Sequence, residues 1–261
     1  MSEPVVPVCV SRPAAHVGLV TLCRPEARNA INPAIARGME RIVQEVEADD
    51  DVRAIVLTGQ GGVAFCAGAD LKEVAAGRLE ELWTVAGGFA GFVHARRRKP
   101  WIAAVDGLAL AGGCEIALAC DMIIASEDAA FGLPEVTRGL IAGAGGLHRL
   151  PRALPRAIAL ELIATGGRLP ASRALAFGLV NAVVPKERTV TEAVALATTI
   201  AGNAPVAVRE SLAIARLAHD LHEAALVRLS DESQARVMLT EDFREGPRAF
   251  IEKRPPQWRG R

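Results

Sequence analysis

Residues 108–121 read LALAGGCEIALACD: a short apolar run, a glycine pair, then a helix-forming stretch. Such an arrangement leaves backbone N–H groups near Gly112 unpaired at the positive end of a helix. That end can hold an oxyanion, and glycine lets a ligand carbonyl come close to the backbone. Glu115 falls one turn in, near whatever the Gly112 N–H holds. Taken alone, the pattern fits equally well a tight helix–strand contact with a first-turn acid that complements the dipole.

Two more segments have types and spacing suited to chemistry. In FCAGADLK (65–72) a glycine turn precedes a helix from Leu71 and offers another free N–H near Ala69. Asp70 suits a helix cap, and Lys72 suits either a ligand phosphate or plain solvent. In FGLPEVTRGLIAGAGG (131–146) Glu135 follows Pro134 in an apolar neighbourhood, and Gly143 to Gly146 opens the next helix. If Glu115 and Glu135 converge, their repulsion raises at least one pKa and yields an acid and a base at neutral pH. If they do not, they are two unrelated surface carboxylates.

The elements that must position these residues follow from periodicity. The β-branched runs 5–10 and 17–22 predict paired strands. Asn32-Pro33 is an N-cap with Pro at the first helical position, and Ile35, Met39, Ile42, Val43 and Val46 recur at helical spacing, so 33–49 is an amphipathic helix. Strands are expected at 52–58, 102–105 and 122–125, with a helix near 113–120. This alternation argues for an α/β core with parallel pairing. From about 189 the chain reads as helices over 189–201, 205–229 and 231–253. Their apolar faces (Ala213, Ile214, Leu217, Leu221) need something to pack against.

Bulk properties exclude several classes. The 261 residues, 51% hydrophobic, carry 30 basic and 30 acidic side chains, so no net field draws nucleic acid or an anionic membrane. The longest nearly uncharged stretches are interrupted by Gly, Asp106 and Glu115, so no membrane span is expected. Five unclustered cysteines (Cys9, Cys23, Cys66, Cys114, Cys120) read as small buried side chains in a reducing compartment. The N-terminus lacks a secretory pattern, and a cytoplasmic protein is expected. P-loop, GxSxG and post-strand GxGxxG motifs are absent. His219 and His222 stand three apart on an expected helix, but no third metal ligand is evident, which leaves them as surface side chains. The run Arg96-Arg97-Arg98-Lys99 reads as a solvated helix end, or as a patch facing phosphates.

The three segments together, with RPEARNAIN (24–32), KPWIAAVDGLALAGGCEIALACDMIIAS (99–126), ATGGRLPASRALAFGLVNAVVP (164–185) and EGPRAFIEKR (245–254), resemble the crotonase, or enoyl-CoA hydratase, family over nearly the whole chain. The resemblance implies an α/β crotonase-type ββα spiral core over 1–188. Over 189–261 it implies a helical C-terminal trimerisation region. It places oxyanion-hole N–H groups on Ala69 and Gly112, catalytic glutamates on Glu115 and Glu135, and a water-positioning N–H on Gly143. Coenzyme A is expected to pass Ala27, Arg28 and Ala30, then Ala67 through Asp70, Leu71 and Lys72. A helix over roughly 73–93 is expected to wall the acyl pocket. The implied activity is enoyl-CoA hydratase, adding or removing water across the α,β bond of an acyl-CoA. A double-bond isomerase and a catalytically silent acyl-CoA binder are the alternatives. The implied partners are the acyl-CoA and further copies of the chain, as a homotrimer or dimer of trimers. No metal, redox cofactor or nucleic acid is called for. Two departures stand out: AGG replaces the commoner GGG at 111–113, and Ala142 replaces a frequent Pro. The segments RLPRALPRAIALELIATGGRL and EKRPPQWRGR also look like the carnitinyl-CoA dehydratase branch.

Overall fold

The structure, a computed structural model, describes residues 7–261; Val5 and Val6 of the first expected strand lie outside them. The antiparallel hairpin of β1 (Val8–Ala14) and β2 (Val17–Leu22) leads into α1 (Pro33–Ala48). Asn32 caps α1 as expected, its side chain accepting the Ile35 N–H at 2.9 Å. Its apolar stripe, Ile35 through Val46, is buried. Then follow β3 (Ala54–Gly59), β4 (Ala64–Cys66), the single-turn α2 (Leu71–Ala75), and the two-residue strands β5 (Trp83–Thr84) and β6 (Gly88–Phe89). The expected helix over 73–93 is not formed. Gly77, Gly88 and Gly91 adopt positive φ there, and a Cβ on Gly91 would lie 2.3 Å from the Ala36 carbonyl oxygen, so close packing on α1 rules out a continuous helix.

The core continues with β7 (Trp101–Val105), β8 (Leu108–Leu110), α3 (Gly112–Ala119), β9 (Met122–Ser126) and β10 (Ala130–Gly132). The outer layer adds α4 (Gly146–Ala153), α5 (Arg156–Thr165), β11 (Arg168–Pro170), α6 (Ala171–Ala176) and β12 (Ala182–Val184). Among the described residues, one sheet runs β1-β2-β3-β7-β9-β12, parallel from β2 onward, and a second runs β11-β10-β8-β4. Each turn of chain thus lays one strand in each sheet and returns through a helix.

The C-terminal part consists of α7 (Thr189–Ala201), α8 (Pro205–Ala215), α9 (Glu223–Met238) and α10 (Glu241–Ile251). The helices expected over 205–229 and 231–253 are divided differently: the first breaks after Ala215, α9 runs through the boundary expected at 230, and α10 starts afresh at Glu241. The first stops where the Arg216 guanidinium turns in to Asp121 (2.7 Å) and to the Arg97 and Lys99 carbonyls (2.8 and 3.0 Å). Thr240 caps α10 by accepting the Phe243 N–H at 3.1 Å. Helix α7 packs with Ala193, Ala197 and Ala201 flush on Val17, Val56, Ile102 and Ala104, so it covers the large sheet's second face. Beyond α10 the tail folds back. Asp242 accepts the Arg259 and Gly260 N–H groups (2.6 and 2.9 Å), Glu245 binds Arg254 and Gln257, and Arg53 donates to the Trp258 carbonyl at 3.1 Å.

The charge run at 96–99 is not a solvated helix end. Lys99 is 1% exposed, and its ammonium donates to the Val46 and Asp49 carbonyls at 2.7 and 2.6 Å. It closes the negative end of α1. Arg97 stacks 4.0 Å from the Phe92 ring centre and donates to the Ala119 carbonyl at 2.7 Å. His219 and His222 are both exposed, in keeping with surface roles. Cys66 and Cys114 are buried, whereas Cys9 is exposed, because it sits on the edge strand β1.

Candidate active site

The site is assembled at the carboxyl ends of three neighbouring parallel strands, where open sheets gather ligands. Strand β8 lies between β4 and β10, with Cys66 opposite Ala109 and Gly132 opposite Leu110. The chain beyond β4 carries Gly68 and Ala69. Beyond β8 it carries Ala111, Gly112 and Glu115, and beyond β10 Glu135. Register alone therefore brings together groups 69 to 135 that are far apart in sequence.

The two glycine loops touch. A Cβ on Gly68, whose φ is +92°, would lie 3.0 Å from the Gly112 nitrogen. A Cβ on Gly113 would lie 2.0 Å from the Cys66 carbonyl oxygen, and one on Gly112 would enter the Phe89 ring at 2.4 Å. Only glycine fits this approach. The Ala69 loop is held by Ile31, which donates to the Gly68 carbonyl (2.8 Å) and accepts the Asp70 N–H (2.9 Å). Neither the Ala69 N–H nor the Gly112 N–H donates to a protein acceptor among the described residues. Ala111, directly before, holds φ 51 and ψ −130, a conformation suited to glycine.

Glu115 is 3% exposed and its Oε1 accepts the Gly146 N–H at 2.8 Å, at the start of α4. Burial pushes its carboxyl up to about 7, helped by the charge of Glu135 and opposed by the Gly146 N–H. Glu135, in a 3-10 turn over Pro134–Arg138, is also buried; burial raises its carboxyl too, and its Oε2 has no partner. Both carboxyls thus hold protons more tightly than free glutamate does, and Glu135 keeps an oxygen available.

Gly143, expected to present an N–H to water, instead donates it to the Ile141 carbonyl at 2.9 Å. The sequence reading placed Gly146 only at the helix opening, not as the donor to Glu115, and it missed Arg149. The Arg149 guanidinium clamps the Ala144 carbonyl (3.0 Å) to the Val93 carbonyl (2.7 Å) and so fixes the loop that holds Glu115. A cation in the first turn of a helix, where the dipole disfavours it, was the available signal.

The residues expected along coenzyme A fall into two strips lying side by side. The Ala67 N–H donates to the Arg28 carbonyl at 3.0 Å, next to the Ile31 bonds above. Asn29 ties the first strip to the core through the Gln60 and Ala64 carbonyls, both at 2.9 Å. Arg28, Leu71 and Lys72 are exposed, and Ala27 and Ala67 are half-buried. Ala30 is buried, its carbonyl held by Arg24 at 3.0 Å. Asp70 faces inward, capping α2 through the Lys72 N–H (3.0 Å) and pairing with Arg24 at 2.7 Å. No group of three or more metal-ligating side chains occurs among the described residues.

Comparison with known proteins gives a consistent result. The sequence profile described as enoyl-CoA hydratase/isomerase matches residues 12–261. The mevalonyl-coenzyme A hydratase of Aspergillus fumigatus is 42% identical over 99% of this chain and 97% of its own. The carnitinyl-CoA dehydratase of Proteus mirabilis is 41% identical over 93% and 94%. The crystal structure of an enoyl-CoA hydratase from Mycobacterium tuberculosis superposes with a TM-score of 0.93 at 41% identity, covering 98% of this chain and 100% of that one.

Proposed function

The chain belongs to the enoyl-CoA hydratase/isomerase family, and we propose that it hydrates the α,β double bond of an acyl-CoA thioester, or runs the reverse dehydration, with Glu115 and Glu135 as its acid–base pair. The observation that carries this reading is the placement of two buried carboxyls beside two unpaired N–H groups on three adjacent strand ends. The thioester oxygen sits between the Ala69 and Gly112 N–H groups. As water adds, charge moves onto that oxygen as an enolate, and each such donor is worth about 2.7–4 kcal/mol.

Glu115, oriented by Gly146, deprotonates the water that attacks the β-carbon. Glu135, with its free Oε2, delivers the proton to the α-carbon. The raised carboxyls match this work, since a base and an acid operating near neutral pH need pKa values near it. The hole and the thioester together hold the developing charge, so this reading involves no metal or redox group.

Arg28 and Lys72, both exposed beside the strips, meet the phosphates of coenzyme A, while Ala27, Ala30, Ala67 and Leu71 line its path. Binding of acyl-CoA accordingly weakens as salt rises. The protein acts in the cytoplasm; no helix among the described residues is long and apolar enough to cross a membrane. The C-terminal helices join copies of the chain into a homotrimer or a dimer of trimers. Leu239, Phe250 and Ile251 are 85%, 85% and 78% exposed on one copy, which supports that assembly.

The decisive experiment is to mix the protein with crotonyl-CoA and follow the ultraviolet absorbance of the conjugated thioester. Bleaching is expected. An unbleached enone with bound acyl-CoA would favour the silent binder, and migration of the double bond in a 3-enoyl-CoA without hydration would favour the isomerase. Sedimentation at micromolar concentration tests the assembly, and a single monomeric species would overturn it.

A further inference from the structure

The two cysteines nearest the N-terminus meet across the open edge of the large sheet. In the β1–β2 hairpin Cys9 stands opposite Thr21, and Cys23 follows Thr21 by two residues, so both side chains leave the same face. Their sulfurs lie 2.9 Å apart although 14 residues separate them in sequence. Cys9 is exposed and Cys23 half-buried, while Cys66 and Cys114 are sealed in the core. Among the described residues strand β1 has no neighbour on its outer side, and Cys9 stands exposed on it. The site already described uses neither thiol.

We propose that Cys9 and Cys23 are a dithiol that closes to an intramolecular disulfide when the protein meets hydrogen peroxide. The exposed Cys9 thiolate attacks one peroxide oxygen and the O–O bond breaks. This leaves a sulfenic acid on Cys9, and the other oxygen departs as water once protonated. The Cys23 sulfur then attacks the Cys9 sulfur and the S–O bond breaks. The departing hydroxide takes the Cys23 proton, giving a second water. Two thiols have lost two electrons and two protons, and the peroxide has become two waters. A dithiol reductant reverses the bond by exchange. The sulfurs need to approach only to the ~2.05 Å of a disulfide, which a small shift of the edge strand supplies. Burial and the neighbouring Cys9 sulfur push the Cys23 thiol up to about 12, so the exposed Cys9 is the thiol that meets the peroxide first.

The test treats the full-length protein with graded hydrogen peroxide, quenches with an alkylating agent, and maps the cysteines by mass spectrometry. The expected result is a fragment carrying Cys9 and Cys23 that is two hydrogens lighter and refuses alkylation at both, with full recovery after dithiothreitol. Cys23→Ser should stop at a Cys9 sulfenic acid trapped by dimedone, and Cys9→Ser should leave Cys23 alkylatable. The inference fails if both cysteines of the wild type stay alkylatable. It fails equally if Cys9 runs on to sulfinic acid without crosslinking, or if the lost hydrogens map to Cys66, Cys114 or Cys120.

Discussion

Glu115 receives the Gly146 N–H at 2.8 Å from a loop that lies 31 residues further along the chain. That contact couples α3, which opens at Gly112, to the start of α4. It leaves Glu115 one hydrogen bond richer than Glu135, whose Oε2 has none. The two carboxyls therefore have unequal surroundings.

Replacing either glutamate by Gln preserves shape but removes proton transfer. Each of Glu115→Gln and Glu135→Gln is expected to lower the hydration rate by about 10²–10⁴-fold. The double substitution should cost far less than the product of the two, because both act on one transition state. Binding of a saturated acyl-CoA, followed by calorimetry, should survive. Wild-type rates in both single variants would make the glutamates structural.

The raised carboxyl of Glu115 gives a signed pH dependence. Its folded value of about 7 exceeds the reference of 4.5, so between these limits the native state keeps a proton that the unfolded chain releases. Stability from this group is complete below about pH 4.5 and is lost as pH rises through 7. Glu115→Gln has no such proton to lose. Its Tm is expected to gain on wild type from pH 5 to pH 8 in a thermal scan, and parallel curves would refute the assignment.

Ala111 at φ 51 and ψ −130 holds a shape that glycine adopts freely. Ala111→Gly should stabilise the protein by about 1 kcal/mol in urea unfolding, relief of strain outweighing the extra freedom of the unfolded chain. Gly113→Ala is the contrasting case. Its methyl would meet the Cys66 carbonyl, so both stability and hydration should fall.

Lys99 offers a test away from the chemistry. Lys99→Met keeps the buried stem but leaves the Val46 and Asp49 carbonyls without their donor, which should cost about 2–3 kcal/mol. A loss below half that in chemical denaturation would mean that water replaces the ammonium.

What could be read beforehand depended on how local each cause was. Asn32-Pro33 caps a helix through its own neighbours, and the stripe from Ile35 to Val46 follows from spacing alone, so both were legible. The glycine pair before Glu115 and the Pro before Glu135 marked the site for the same reason. The resemblance to a family supplied the pairing of those residues, which spacing left open. Lys99 was misread because its acceptors lie about fifty residues upstream, at the end of another helix. The stretch 73–93 was misread because Gly91 answers to the Ala36 carbonyl, a contact that no local pattern encodes. The donor role of Gly146 and the clamp of Arg149 escaped because their partners exist only once α4 has docked.

The folded-back tail has a kinetic consequence. Asp242 and Glu245 at the start of α10 hold Arg254 and residues 257–260 by side-chain bonds, so α10 and the tail cannot fray separately. They are expected to open as one cooperative unit, a foldon latched at Trp258 by Arg53 and by the Gly202 carbonyl. Protection against amide exchange over 241–260 should therefore rise and fall together. A protease that cuts anywhere in that stretch would be reporting the release of Trp258 from Arg53, just ahead of β3, and from the Gly202 carbonyl.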